Sequence, residues 1–469
     1  MGTQSHAPVE QADANAGWSS RLAFILAAAG SAVGLGNVWK FPYITGENGG
    51  GAFVLVYLVC IAVIGLPILA AEIMLGRRGK ANPVQVFVKL GEEEQISTNW
   101  QGIGWMGLLC SFFILSFYSV VAGWALVYLW HSISGQFSLQ PSDATGLAER
   151  IGGLFDSLLA NPGLLLAGHT LVMMATIFIV ARGIRGGVEK AVRIMVPGLL
   201  LIIFGLVVYA AASTGEFGNA VSFMFNPDFS KLTWNAVLIA LGHAFFTLSV
   251  GMCAMMAYGS FLDRSVNIGK AAFAIAGLDT LIALMAGLAI FPIVFAHQLT
   301  PGEGPGLVFV TLPIAFTEVP GGTFVSIFFF LFLAMAALTS SISMLEPLVE
   351  YMEYRCNWSR PRTAIVTGTI IWVLGIGCAL AFNLWSGFTP FGKNLFDLFD
   401  WLTQSILLPM GGMLISIYAG WILSRKAIAR EMEGGTAITF SVWIFLMRFI
   451  APLAIALVLV NSLFPGLFS

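Results

Sequence analysis

The chain has 469 residues, of which 58% are hydrophobic and only 10% are charged. Soluble globular domains carry about 25% charged residues, so the composition excludes a soluble domain and indicates a helical protein that spans a membrane several times. A transmembrane barrel is excluded because its strands would alternate in hydrophobicity, and the net charge of −2 suggests no nucleic-acid partner.

The N-terminal tail, residues 1–19, is polar and has no apolar stretch of the kind that a signal peptide needs. Eleven hydrophobic segments follow, and each is long enough to cross about 30 Å of hydrocarbon. We number these segments as spans one to eleven. Their approximate limits are 20–43, 50–76, 103–133, 163–182, 189–212, 232–260, 269–296, 323–353, 362–384, 395–423 and 437–464.

The basic residues predict the orientation of the spans. The loops after even-numbered spans are rich in Arg and Lys, as at Arg77, Arg78 and Arg264, whereas the opposite loops carry few, such as Arg150 and Lys231. Basic loops stay in the cytoplasm. We therefore expect a multi-pass protein of the cell inner (plasma) membrane, with its N-terminus in the cytoplasm and its C-terminus outside.

Span one contains a break in its helical pattern. The sequence LAFILAAAGSAVGLGNVWKFPY, residues 22–43, places Gly30, Gly34 and Gly36 close together near its middle. Each glycine costs a helix interior about 1 kcal/mol relative to alanine. A break at membrane depth is tolerated where the backbone lines a cavity, and its freed carbonyls can then bind a cation. The alternative is a glycine-rich face that lets another helix pack closely.

A second interruption occurs in span six, where Thr247, Ser249 and Gly251 lie near the middle. Spans one and six are five spans apart, which favours two inverted five-helix repeats that each open with a broken helix. The predicted organisation is a first repeat at 20–212, an outer loop at 213–231, a second repeat at 232–423 and an eleventh helix at 437–464. The connection 298–322 has an apolar core too short to span the bilayer, so we expect a short helical hairpin on the outer face.

These motifs resemble the neurotransmitter:sodium symporter family. The segments that carry the resemblance are AAAGSAVGLGNVWKFPY and ENGGGAFVLVYL at the start, FFTLSVGM in span six, GLVFVTLPIAF in the outer connection and ALTSSIS in span eight. The match covers nearly the whole chain in order, and the bacterial branch, typified by the leucine transporter, is the most similar. The resemblance implies a small amino-acid substrate and two Na⁺ ions bound between the two broken helices.

The resemblance assigns oxygen ligands to both sodium ions. The second site maps onto the backbone carbonyls of Gly30, Val33 and Ala336 with the hydroxyls of Thr339 and Ser340. These ligands carry no formal charge, which favours a singly charged ion over calcium. The first site maps onto Ala32, Asn37, Thr247 and Asp279, and in the family the substrate carboxylate completes it.

The same resemblance implies a substrate shell and two gates. The shell maps onto Ser31, Ala32, Leu35, Gly36, Ile114, Tyr118, Phe246, Ser249, Met252, Ser340 and Met344. Tyr118 and Phe246 would form the outer lid, below an outer pair made by Lys40 and Asp400. Trp18 matches the tryptophan of the inner gate.

Several positions depart from the family pattern. The arginine expected before Trp18 is Asn15, and its acidic partner falls at Tyr354, next to Glu353. Asp279 stands where asparagine is common, and we expect His243 as its neighbour. These departures leave the inner gate unassigned from the sequence.

We therefore expect a sodium-coupled symporter that imports a neutral, apolar to aromatic L-amino acid by alternating access, with proton antiport through Asp279. An ion channel is the first alternative, since broken helices also build selectivity filters. A membrane enzyme is the second alternative, although the spans contain no HExxH or GxSxG motif. The sequence leaves the identity of the amino acid, the sodium stoichiometry and the oligomeric state open.

Overall fold

The computed structural model describes residues 17–137, 147–298, 306–432 and 437–464, and throughout these ranges the regular structure is helical. Within these ranges, nine continuous helices are long and apolar enough to cross a membrane. They correspond to spans two to five and seven to eleven. Their bounds are Gly51–Gly79, Thr98–Ile133, Pro162–Ala181, Ile184–Ser213, Ile268–Ala296, Gly322–Cys356, Arg360–Leu380, Leu395–Ile422 and Ile438–Leu463.

The two remaining spans are broken, as the sequence predicts. Span one consists of Arg21–Ala32 and Gly36–Glu47, whose axes differ by 53°. Span six consists of Trp234–Thr247 and Ala254–Ser260, joined by six residues without helical structure. With the bent pair of span one counted as one span, the described residues contain ten candidate spans, and the two short helices of span six lie where the remaining predicted span is expected. These observations confirm the predicted all-helical fold. The division into two inverted repeats stays a prediction.

Polar residues begin several of the spans. The side chains of Ser20, Asn161, Thr233 and Asn267 each accept a hydrogen bond from a backbone N–H in the first turn of spans one, four, six and seven. Such caps satisfy N–H groups that have no partner within the helix. They explain why the predicted span limits lie within a few residues of the observed ones.

Four shorter helices between the spans were not predicted. Pro83–Glu94 and Arg425–Glu431 lie in connections expected in the cytoplasm, whereas Leu147–Ala160 and Phe217–Phe225 lie in connections expected outside. In the outer connection 298–322, the described residues form one apolar helix, Leu307–Thr317. Residues 299–305 lie outside the described ranges, and the hairpin stays a prediction.

The broken spans lie at the centre of the bundle. The first half of span one contacts spans five, seven and eight, and span eight packs along span three. Residues Ala27 to Ala32 are buried, together with the centres of spans six and eight. The interrupted backbone is therefore enclosed by protein rather than lipid, which is the condition under which such breaks are tolerated.

Candidate functional site

The break in span one depends on a close approach by two neighbouring helices. The helix ends at Val33, which adopts φ −67° and ψ 108°. A Cβ atom on Gly34 would lie 2.6 Å from the Ser340 hydroxyl and 2.8 Å from the Tyr118 hydroxyl. Since real Cβ contacts are longer, only glycine fits here without displacing both polar side chains.

The break in span six is stabilised by a buried acid. Ser249 and Cys253 have φ angles of 52° and 62°, a left-handed conformation that is uncommon outside glycine. The backbone N–H of Gly251 donates to Oε1 of Glu72 over 2.6 Å, and Glu72 is fully buried in span two. No motif in the sequence points to Glu72, although an acid inside an otherwise apolar span is itself a signal of function.

A cavity lies between the two breaks. Ten of the eleven residues predicted for the substrate shell line it, together with Gly34, Thr247 and Leu408, and no charged side chain takes part in the lining. Leu408 was missed by the sequence analysis because span ten carries no family motif at this position. The predicted shell residues that line the cavity are Ala32, Leu35, Gly36, Ile114, Tyr118, Phe246, Ser249, Met252, Ser340 and Met344.

Ser340, one of these ten shell residues, is also a predicted ligand of the second sodium ion. Ser31 is the eleventh and does not line the cavity. Its hydroxyl donates to Ser343 Oγ over 2.7 Å, and Ser343 in turn donates to the carbonyl of Ser340. Only the backbone of Ser31 faces the break, where its carbonyl accepts from Ser249 and Ser340.

An outer vestibule lies next to the cavity, and Leu35, Tyr118 and Phe246 line both spaces. The Tyr118 hydroxyl accepts a hydrogen bond from the backbone N–H of Leu35 over 3.2 Å, which fixes its ring across the boundary. These shared residues are the layer that separates the cavity from the vestibule, where the sequence analysis expects an outer lid.

Above this layer, the predicted pair of Lys40 and Asp400 is joined through a third residue. The Lys40 ammonium donates to the side-chain carbonyl of Gln404, and the Gln404 amide donates to Asp400. Lys40 Nζ also lies 4.7 Å from the centre of the Phe246 ring, within the range of a cation–π contact. The expected direct pair is therefore a relay that includes Gln404, which the sequence analysis did not identify.

The residues predicted for the first sodium ion are bonded to one another. Asn37 Nδ2 donates to the carboxylate of Asp279 over 2.7 Å, and Thr247 Oγ1 lies 3.0 and 3.1 Å from its two oxygens. Asp279 is fully buried, and Asn37 Nδ2 also donates to its backbone carbonyl. The structure thus brings one carboxylate, one amide and one hydroxyl together beside Ala32, which lines the same cavity.

The prediction that His243 is the neighbour of Asp279 is wrong. His243 does not bond to the carboxylate; its ring lies against Tyr57 and Phe41, with ring centres 5.4 and 6.1 Å apart. One helical turn separates His243 from Thr247, and Thr247 rather than His243 turns its side chain to Asp279. His243 does lie one turn before Thr247, but its side chain faces spans one and two.

The residues predicted for the second sodium ion form a cluster of neutral oxygens. Ser340 Oγ lies 3.3 Å from the carbonyls of both Val33 and Ala336, and Thr339 Oγ1 lies 2.9 Å from the Ala336 carbonyl. Gly30 packs directly against Thr339, because a Cβ atom on Gly30 would lie 3.5 Å from Thr339 Cβ. Hydroxyl and carbonyl oxygens are hard ligands, so this donor set fits a hard cation.

Transition-metal binding finds no support in the described ranges, where no group of three or more His, Cys, Asp or Glu side chains is arranged to hold a metal ion. The buried oxygens of the two clusters belong mainly to carbonyls, hydroxyls and one amide. Oxygen donors of this kind fit a hard cation better than they fit zinc or iron.

On the cytoplasmic side, Trp18 is buried, and its indole N–H donates to the carbonyl of Tyr258 over 3.0 Å. Asn15 lies outside the described residues. Tyr354, at the family's acidic position, is 61% exposed, and the adjacent Glu353 forms an ion pair of 3.1 Å with Arg360. Trp18 therefore lies at the inner end of the site, and Tyr354 stands where the family has an acidic residue on span eight.

Comparison with known proteins agrees with this geometry. The model of the sodium:neurotransmitter symporter family matches residues 15–150 and 149–465. A sodium-dependent transporter of Bacillus subtilis is 38% identical over 448 residues, covering 95% of this chain and 97% of that protein. The sodium-dependent serotonin transporter of Drosophila melanogaster is 28% identical over 371 residues, covering 71% of this chain and 58% of that protein.

A solved structure is also similar. The crystal structure of MhsT in complex with L-phenylalanine matches with a TM-score of 0.87 and 43% sequence identity, and the match covers 95% of this chain and 99% of MhsT. The family model and the relatives together span nearly the whole chain, including both broken helices. The chain therefore belongs to the sodium:neurotransmitter symporter family and is a sodium-dependent membrane transporter, not an enzyme.

Proposed function

We propose that the protein imports a neutral, apolar to aromatic L-amino acid together with two sodium ions, by alternating access. The observation that carries this proposal is an uncharged cavity enclosed between two broken helices, with an oxygen cluster on either side. An amino acid fits such a cavity because both broken helices offer backbone groups to its charged ends, while the remaining wall is apolar.

The substrate carboxylate would lie near Tyr118 and the start of the second half of span one. The N-terminal end of a helix has free N–H groups and a positive dipole end, and both stabilise an anion. Leu35 and Gly36, at that end, line the cavity. The substrate side chain would then point towards Ile114, Met252, Met344 and Leu408.

The proposed substrate class follows from this apolar wall. No charged side chain lines the cavity, so a charged substrate side chain would be buried without a partner, at a large cost in free energy. Met252 and Met344 are unbranched and adaptable, which favours acceptance of several side-chain shapes. The similarity to MhsT, a structure that contains L-phenylalanine, supports an aromatic substrate.

Sodium would drive accumulation in two ways. The first ion, held by Ala32, Asn37, Thr247 and Asp279, would share the substrate carboxylate, so that each makes the binding of the other more favourable. Each ion moving down a membrane potential of 100 mV releases about 2.3 kcal/mol, and two would supply roughly 4.6 kcal/mol. That energy supports more than about a thousandfold accumulation before the sodium gradient is counted.

Asp279 would balance the charge of the first sodium ion, so that transport needs no chloride. After sodium and substrate leave, the ionised carboxylate would remain in a fully buried position without its cation, which is costly. We infer that it takes up a proton for the return step. The cycle would then be sodium and amino-acid symport with proton antiport.

A binding screen tests the substrate class. The purified protein is heated in the presence of each of the twenty amino acids, with sodium or with potassium at equal ionic strength. Ligand binding to the folded state raises the melting temperature. We expect apolar and aromatic L-amino acids to raise it only in sodium. A larger rise with Asp, Glu, Lys or Arg, or an equal rise in potassium, would contradict the proposal.

A further inference from the structure

Span eleven carries a single charged residue within its membrane-spanning helix. Arg448 lies inside Ile438–Leu463, well away from both ends, and every other residue of that helix is uncharged. A charged side chain at membrane depth is costly, and for that reason it usually marks a functional site. Arg448 lines neither the substrate cavity nor the outer vestibule, so transport as proposed above gives it no role.

The arginine uses only part of its guanidinium group within the protein. Nε of Arg448 donates to the backbone carbonyl of Gly420 in span ten, and the guanidinium carbon lies 5.3 Å from the centre of the Trp421 ring, a cation–π contact. Among the residues that the structure describes, no Asp or Glu forms an ion pair with Arg448. Its side chain is only half-buried, so the two terminal Nη groups are open to a ligand from outside the chain.

Span ten fixes the backbone of span eleven around this arginine. The Trp421 indole N–H donates to the carbonyl of Arg448 over 3.0 Å, and the Ser416 hydroxyl donates to the carbonyl of Met447 over 2.7 Å. The two helices touch at Gly420, where a Cβ atom would lie 3.0 Å from the Met447 carbonyl oxygen and 3.2 Å from Arg448 Cγ. The direction of the guanidinium is therefore set by two packed helices, which makes it a preorganised donor.

The surface around Arg448 is aromatic and exposed. Trp421, Phe445 and Phe449 are 51%, 52% and 50% exposed. Their rings pack together, with centres 5.4 Å apart for Trp421 and Phe449 and 5.5 Å apart for Phe445 and Phe449. Tryptophan on the outside of a span is typical of the level where acyl chains give way to headgroups. An arginine in this aromatic wall is placed to meet a headgroup.

The charges near this surface favour an anionic lipid. Arg425 and Lys426 follow span ten directly and are exposed, at the end of the span that the basic residues predict to be cytoplasmic. Glu431, at the end of the same short helix, does not neutralise them, because it is paired with Arg77 over 2.9 Å. Basic pockets between spans on the cytoplasmic side attract the negative headgroups of that leaflet.

We propose that Arg448 binds the phosphate of an anionic phospholipid in the cytoplasmic leaflet, with an acyl chain of that lipid against Trp421, Phe445 and Phe449. The planar guanidinium can donate two parallel hydrogen bonds to phosphate oxygens through its Nη groups while Nε stays on Gly420. The bound phosphate balances the charge that span eleven carries into the membrane. The site opens sideways between two spans, so its ligand is a lipid rather than a phosphate ion free in water.

Melting temperatures of the purified protein in neutral detergent measure this binding, because a ligand of the folded state raises them. Phosphatidylglycerol is titrated in, and phosphatidylcholine and inorganic phosphate are titrated in parallel at the same concentrations. We expect phosphatidylglycerol to give the largest rise, phosphatidylcholine a smaller one because its choline cation faces the basic residues, and inorganic phosphate none. Each rise is referred to the same protein without added ligand, which removes the effect of a substitution on stability itself.

Three substitutions separate binding at Arg448 from a general attraction between the protein and anionic lipid. Arg448→Gln removes the charge and should raise the phosphatidylglycerol concentration for half of the effect about tenfold. Arg448→Lys keeps the charge but loses the planar pair of donors, so a rise of about threefold is expected. The matched control is Arg264→Gln, which removes an exposed arginine between spans six and seven and should stay within about twofold of the wild type.

The proposal fails if Arg448→Gln responds to phosphatidylglycerol as the wild type does, or if Arg264→Gln is weakened as much. A rise with inorganic phosphate equal to that with phosphatidylglycerol would show a site for a free anion and would also overturn it. If melting without lipid depends on protein concentration and loses that dependence in Arg448→Gln, the surface binds a second copy of the chain instead. If Arg448→Gln does not fold, Arg448→Lys decides in its place, and an unchanged response there overturns the proposal.

Discussion

The two oxygen clusters beside the cavity differ in charge. The cluster around Asn37, Thr247 and Asp279 contains a fully buried carboxylate, whereas the cluster around Thr339 and Ser340 has only hydroxyls and carbonyls. The charge of a sodium ion in the first cluster would be balanced by the Asp279 carboxylate. The charge of an ion in the second cluster would remain uncompensated inside the protein. The two ions would therefore have different roles. The charged cluster would determine which anions the transport cycle needs, and the neutral cluster would determine the sodium concentration that it needs.

The largest expected effect is on the charged cluster. Asp279→Asn keeps the shape of the side chain but removes its charge, so the first sodium ion would lie uncompensated in a buried site. We expect uptake into proteoliposomes to fall by about a hundredfold when chloride is replaced by gluconate, and chloride to restore part of it. The two buffers are compared for the wild type and the variant in parallel.

The control for this substitution is Asp228→Asn, which removes an acid of the same kind from the outer surface, where it lies 3.7 Å from Lys231. Its uptake should match that of the wild type in both buffers. Wild-type uptake that already requires chloride would show that Asp279 does not carry the compensating charge.

A second prediction separates the two clusters by their link to the substrate. Asn37→Ala removes the amide oxygen proposed as a ligand of the first sodium ion and also the hydrogen bond to Asp279. Because the substrate carboxylate shares this ion in the proposed scheme, binding of the amino acid should stay at least about tenfold weaker even at saturating sodium. Equilibrium binding of L-phenylalanine across a sodium titration measures this. Full recovery of affinity at high sodium would refute the link.

Thr339→Ala tests the neutral cluster in the same titration. The substitution removes one hydroxyl ligand, so sodium-dependent binding should be lost at ordinary sodium concentrations. High sodium should restore it, because this ion does not touch the substrate. We expect the half-saturating sodium concentration to rise about tenfold. Thr339→Ser, which keeps the hydroxyl, is the matched control, and an equal rise in that variant would show that packing rather than coordination is responsible.

A substitution in the cavity should leave both clusters unchanged. Met252→Phe adds a rigid ring to the apolar wall and reduces the space for the substrate side chain. Aromatic amino acids should bind about tenfold more weakly, while small apolar ones keep their affinity. The half-saturating sodium concentration should not change. If L-phenylalanine and L-alanine compete in the variant as they do in the wild type, the substrate side chain does not lie against Met252.

The smallest effect is expected at the outer relay, which lies outside both clusters. Lys40→Arg introduces a planar, five-donor group that can bond to Gln404 and Asp400 together, so the outer side should open more slowly. We expect the maximal uptake rate to fall about threefold with no change in the equilibrium affinity for sodium or substrate. A change in affinity without a change in rate would contradict a gating role.

Much of this architecture could be predicted from the sequence, for a physical reason. Long apolar segments leave little choice except spanning helices, and the glycines of span one can break a helix only where protein encloses the backbone. Motif residues such as Asn37, Thr247 and Ser340 lie in the two clusters beside the cavity, as their positions in the family's sequence motifs lead us to expect. The predicted limits of the eleven spans needed no tertiary information.

The remaining features depend on contacts between distant segments. Glu72 supports the break in span six across 179 positions of the chain, and Ser31 turns away from the cavity because Ser343 is within bonding distance. Gln404 enters the outer relay, and Glu189 binds the segment before span one, through pairings that no local pattern reveals. The orientation of His243 likewise depends on which neighbours its helix face meets.

Uptake driven by an imposed sodium gradient tests the central claim most directly. Proteoliposomes loaded with potassium are diluted into buffer that contains radiolabelled L-phenylalanine with sodium, and the internal concentration is followed over time. We predict accumulation above the external concentration that collapses when the sodium gradient is dissipated and that increases with an inside-negative membrane potential. Uptake that only equilibrates, or that proceeds equally well with potassium on both sides, would contradict sodium-coupled symport of an aromatic amino acid.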